Sequence, residues 1–117
     1  MKRFLILFIL FFSACASGGR AGLRWAAMDE LKEAERLIQT GHRKQAVDEL
    51  TMLLELDPKN EEAFFLRGVA CQGLEEFERA LSDFDEVLSL NPSHTKAHYN
   101  RAMILAFKHN EPKKALI

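Results

Sequence analysis

His94 and His98 stand four residues apart, a spacing that lets two imidazoles share one helix face as metal ligands do. No carboxylate or cysteine follows at ligand spacing in the same element, so a metal is the weaker reading, and no cofactor is expected. His42 and His109 stand alone. Of the two cysteines, Cys71 falls among apolar and small residues, where a buried, unreactive thiol is expected. Glu75, Glu76 and Glu78 form an acidic turn, most simply a solvated edge. There is no nucleophile paired with a base and no glycine loop for phosphate. The side chains that could do chemistry do not converge, which points away from an enzyme.

What does recur is a 34-residue step. Leu54-Glu55-Leu56-Asp57-Pro58 is echoed by Leu88-Ser89-Leu90-Asn91-Pro92. Ala46 pairs with Ala80, Val47 with Leu81, Leu50 with Phe84 and Leu53 with Val87. Ala34, Gly68 and Ala102 are small at the same step, and Leu37, Cys71 and Leu105 are apolar. A period of this length marks stacked helical units, whose surfaces more often bind other chains than carry chemistry.

Within each unit the spacing is helical. Leu31, Ala34, Leu37 and Ile38 mark one face of a first helix, ended at Thr40-Gly41 by a glycine suited to a left-handed cap. Ala46, Val47, Leu50, Leu53 and Leu54 mark a second, stopped at Asp57-Pro58. Asn60 can cap a third, carrying Ala63, Phe64, Leu66, Gly68, Ala70 and Cys71. A fourth, from Phe77, carries Ala80, Leu81, Phe84, Val87 and Leu88 and stops at Asn91-Pro92. Residues 95–117 supply a fifth helix and little more. Ala115-Leu116 arrives one residue late for the repeat. Met103 to Phe107 is apolar throughout, so that helix expects cover on more than one face. The missing half is expected from a partner, from self-association with a second copy, or from a longer chain of which this is a truncated form.

Residues 61–94 resemble a tetratricopeptide repeat, with Phe64, Gly68, Phe77, Ala80, Phe84 and Pro92 at the positions where that family places aromatics, small residues and proline. Residues 27–60 resemble a degenerate copy, keeping Ala34, Gly41, Ala46 and Pro58, and 95–117 a partial one. The resemblance implies an all-α fold of helical hairpins stacked as a short right-handed solenoid. It also implies a concave groove lined by the first helix of each unit. The groove positions would be Met28, Leu31, Lys32, Glu35 and Gln39, then Glu62, Phe65, Leu66, Val69 and Gln72, then Lys96, Tyr99, Asn100 and Met103. For Phe65 and Tyr99, groove lining and packing between hairpins both remain open; for Leu66 and Val69, packing is the stronger reading. Family members that clamp chaperone carboxy termini use lysine and asparagine where this chain has Leu31 and Glu35, so carboxylate capture is set aside. The family also packs an aromatic where His98 stands. The function implied is a non-enzymatic scaffold that binds a protein or peptide partner.

The amino terminus reads as an address. Lys2 and Arg3 precede nine large apolar residues, Phe4 to Phe12, and then Ser13, Ala14, Cys15 and Ala16. This is the order of a secretory signal peptide, residues 1–14. Even extended to Ala16 the run is 13 residues, short of the roughly 20 that span a bilayer. Ala14-Cys15-Ala16 fits ordinary cleavage and a soluble periplasmic or secreted product. Phe12-Ser13-Ala14-Cys15 resembles a bacterial lipobox, which implies lipid on Cys15, attachment to the membrane of the cell envelope and, with Ala16 next, the outer membrane. Residues 15–26 read as a glycine-rich tether; for Trp25, covering the first helix is the stronger reading and a membrane-interface contact the weaker. Net charge is −1, and −3 once Lys2 and Arg3 leave with the signal, with no basic patch to suit nucleic acid.

Overall fold

Helix boundaries follow from a few local devices repeated at the 34-residue step. The computed structural model describes residues 20–110, with side chains from Arg24 onward. Five helices run in order: α1 Arg20–Gln39, α2 Arg43–Leu56, α3 Glu61–Gly73, α4 Phe77–Leu90 and α5 Thr95–Asn110. The signal segment 1–14, Cys15, tether residues to 19, and residues 111–117 of the third unit lie outside the described residues.

Gly41 ends α1 at φ +86°, with His42 N–H donating to Leu37 O at 2.8 Å and Gly41 N–H to Ile38 O at 3.2 Å. These two bonds satisfy carbonyls that the helix end leaves open. Glu75, 34 residues on, ends α3 in the same way at φ 61°, with Glu76 N–H donating to Cys71 O at 2.9 Å. Asn60 caps α3 by accepting from Ala63 N–H at 3.0 Å, as its position predicts. Asp57 and Asn91, each preceding a proline, close α2 and α4.

The helices pair as sequential hairpins, α1 with α2 and α3 with α4, while α3 also touches α1 and α5. Several of the positions that echo each other in sequence are buried in both of the first two units. Ala34, Ala46 and Leu50 are buried in the first unit, and Ala80, Phe84 and Cys71 in the second. Gly68 lets α3 and α4 approach closely; a Cβ there would lie 2.7 Å from the Phe84 ring. Leu37 of α1 shares one cluster with Phe84, Ala97 and Ile104, so the core runs through all three units.

Arg67 forms a polar bridge that links three helices. Arg67 of α3 donates to Asp83 of α4 from Nε at 2.9 Å and Nη2 at 2.7 Å, and to Thr51 Oγ1 of α2 from Nη1 at 3.3 Å. The Asp83 bond holds the Arg67 guanidinium above its ordinary pKa. The acidic turn lies at a solvated edge, with Glu78 79% exposed, and two of its acids pair there: Glu76 with Arg79 at 2.8 Å, and Glu78 with Lys108 of α5.

Two readings of the tether are corrected. α1 begins at Arg20, so 20–26 are helical, not tether. Alanines, leucine and arginine favour helix there, and the single Gly22 costs only about 1 kcal/mol against them. Trp25 does not cover α1; it is 71% exposed and belongs to neither core cluster.

Gly68→Ala is expected to lower unfolding free energy by about 1–3 kcal/mol, because the fully buried Phe84 has nowhere to move. Gly73→Ala meets only the flexible side chain of Arg43 and should change it far less. Urea unfolding of the two variants checks the contrast.

Candidate protein-binding groove

The first helices of the units, α1, α3 and α5, lie side by side and present one face each. Their groove positions divide into residues that pack and residues that project. Leu31 and Val69 are half-buried and pack against the two core clusters. Leu66 is buried. Gln72 and Asn100 are half-buried, whereas Glu35 and Lys96 are exposed. Met28, Tyr99 and Met103 project, at 47%, 65% and 46% exposure.

Phe65 both packs and borders open space. Its ring lies 5.9 Å from Phe84 and 4.9 Å from the His94 ring, and its remaining surface joins Glu62, His94, Thr95 and Lys96 around an open depression of about 290 Å³. The depression has an aromatic floor and one side chain of each charge, Glu62 and Lys96, on its wall. That combination suits an apolar side chain flanked by peptide polar groups rather than bond-making chemistry.

His94 is the residue that sequence reasoning missed here. Its Nδ1 accepts from Ala97 N–H at 3.1 Å, capping α5. That bond needs the Nδ1 lone pair, which leaves Nε2 to carry the proton, 3.7 Å from Glu61 Oε1. Glu61 Oε1 also accepts from Asn91 Nδ2 at 2.9 Å. The signal was present: His94 stands 34 residues after Asn60, which caps α3 in the same way. His98 shares none of this, its Nε2 lying 2.8 Å from Pro92 O, so the two imidazoles are committed to different partners. Among the described residues no three histidine, cysteine or acidic side chains gather as metal ligands would. Cys71 is fully buried, and burial pushes its thiol pKa up, away from the thiolate that reactivity needs.

His94→Ala removes the cap of α5 and should cost about 1 kcal/mol, whereas His94→Asn should retain most of it. Thermal unfolding followed by circular dichroism separates the two.

Comparison with known proteins agrees with this geometry. Residues 61–94 match the model of the tetratricopeptide repeat family. Over 81 residues the chain is 33% identical to a tetratricopeptide repeat and J domain-containing co-chaperone of Cryptococcus neoformans var. grubii. The match takes in 69% of this chain and 16% of that protein. Residues 61–94 are thus a tetratricopeptide repeat, set within an all-α stack of hairpins of the same kind.

Proposed function

We propose that this chain is a non-enzymatic adaptor that holds a peptide or helix of a partner protein against α1, α3 and α5, and that lipid on Cys15 tethers it to a bacterial cell envelope. The observation that carries the binding half is the exposure of Met28 on α1 and of Tyr99 and Met103 on α5, together with the open depression that Glu62 and Phe65 of α3 and Lys96 of α5 line. Large apolar side chains standing out of a helical stack next to charges are what a helix- or peptide-binding surface requires. The co-chaperone named above supports a partner-protein role by likeness alone. Leu31, half-buried in the core, and the acidic Glu35 do not suit capture of a chain carboxylate.

The tether half rests on the sequence order Phe12-Ser13-Ala14-Cys15. No helix among the described residues is long and apolar enough to cross a membrane. With several acyl chains on Cys15, each buried methylene contributing about 0.8 kcal/mol, the attachment would be firm. A second reading, an accessory part of a longer protein, draws on the comparison in which these repeats match 16% of a much longer chain. A soluble periplasmic or secreted protein is the reading left if Cys15 carries no lipid.

Two measurements test the proposal. The intact mass of the protein from a bacterial membrane fraction should show acylation at Cys15 that Cys15→Ser abolishes; a mature chain beginning at Ser17 without lipid removes the tether. For the groove, a peptide selected from a random library should lose about tenfold or more in affinity when Tyr99 and Met103 are both changed to alanine. Unchanged affinity would move the binding surface elsewhere.

A further inference from the structure

α3 and α5 begin with the same hydrogen bond made by different residues. Asn60 caps α3 through Oδ1, which accepts from Ala63 N–H at 3.0 Å, while its Nδ2 donates to Asp57 Oδ2 at 3.1 Å. His94, 34 residues on, serves α5 with an imidazole. Its Nδ1 accepts from Ala97 N–H at 3.1 Å, and its Nε2 faces Glu61 Oε1 at 3.7 Å. A side-chain amide keeps its acceptor at any ordinary pH. An imidazole keeps one only while neutral; once protonated, both nitrogens donate. The cap of α5 therefore depends on a proton in a way that the cap of α3 does not.

The surroundings give the protonated ring a second partner. Around it α3 presents Glu61 and Glu62, α5 presents Lys96 and His98, and the turn after α4 presents the uncharged Asn91 amide. His98 is committed to Pro92 O, and Glu62 and Lys96 are opposite charges on one wall. Glu61 is the acceptor within reach. It already takes Asn91 Nδ2 at 2.9 Å, and a carboxylate has capacity for a further donor. A charged N–H bond to a carboxylate closes to about 2.7–2.9 Å, so making it draws the ring roughly an ångström toward Glu61. The new Nδ1 proton meanwhile meets the Ala97 N–H, donor against donor, and the cap breaks.

The same ring is part of the depression. It lies 4.9 Å from the Phe65 ring, and its side chain is only 15% exposed, so it cannot shift without disturbing its neighbours. Thr95 and Lys96, which also line the depression, belong to the turn of α5 that the cap holds. One proton thus acts on three of the five lining residues.

We propose that His94 is an acid-sensitive switch for the depression. Neutral, it caps α5 and completes the wall beside Phe65; protonated, it releases Ala97, turns to Glu61 and opens that wall. The effect on binding rests on the groove reading above, whereas the exchange of partners at His94 does not.

The test uses the full chain, isotopically labelled and in detergent, at about pH 7.5 and about pH 5.5, a window that spans ordinary imidazole titration and leaves carboxylates charged. Nitrogen chemical shifts should show His94 Nδ1 without a proton at the higher pH. At the lower pH the Ala97 amide should lose its protection from hydrogen exchange, measured against an unprotected amide at the same pH, while Ala63 keeps its own. His94→Asn should keep Ala97 protected at both. Glu61→Gln retains an acceptor for Asn91 but no charge for the imidazolium, and should move the loss to lower pH. The library-selected peptide should bind the unaltered chain about fivefold more weakly at the lower pH, whereas its affinity for His94→Asn should not change between the two. Ala97 protected equally at both pH values overturns the proposal. So does loss of Ala63 protection alongside Ala97, which marks general loosening in acid, or a peptide affinity that still falls in His94→Asn, which gives the effect to another group. If no peptide engages the groove at either pH, the groove reading fails and the Ala97 amide still decides the switch.

Discussion

The closeness of α3 to α4 at Gly68 is the constraint on which the rest of the structure depends. With hydrogen alone on the α3 backbone at 68, an edge of the Phe84 ring can approach the helix closely and the side chain is fully buried. Burial of one such side chain contributes about 1.5–3 kcal/mol. The same ring lies 5.9 Å from Phe65, which in turn holds the His94 ring at 4.9 Å. One close approach therefore sets the hairpin, the floor of the depression and the residue that starts α5. A larger residue at 68 would separate the helices and disturb all three.

Polar bonds then fix register rather than supply most of the stability. Asp83 is 94% buried at its side chain, with Arg67 still 20% exposed. Desolvating such a pair offsets much of its attraction, so its net contribution is small beside that of the apolar core. Its value is positional. Arg67 touches helices of two successive units and tolerates only one stagger between them. Arg101 repeats the device toward Asp85 from α5, which ties the last described helix to the stack.

Much of this was legible in the sequence because the determinants are local. Gly41, Asn60 and the two prolines act within a few residues of themselves, and the structure places helix ends at each. The small and apolar residues at the 34-residue step could be paired without knowing any contact. What was not legible depends on distance or on unusual chemistry. Arg67 and Asp83 are sixteen residues apart on different helices, and nothing in either residue type names the other. A histidine capping a helix is uncommon, and only its register with Asn60 could have exposed it. The start of α1 was hidden by Gly22, whose helix penalty is smaller than the summed preference of its neighbours. The divided role of Phe65 needed the His94 ring, which no spacing rule places.

The central claim is that the side-by-side first helices, not the second helices behind them, form the surface that meets a partner. Amide chemical-shift mapping of the isotopically labelled chain with a library-selected peptide tests it most directly. Perturbations concentrated on α1, α3 and α5, around Phe65, Lys96 and Tyr99, are the predicted result. Perturbations concentrated on the outward faces of α2 and α4 would contradict it.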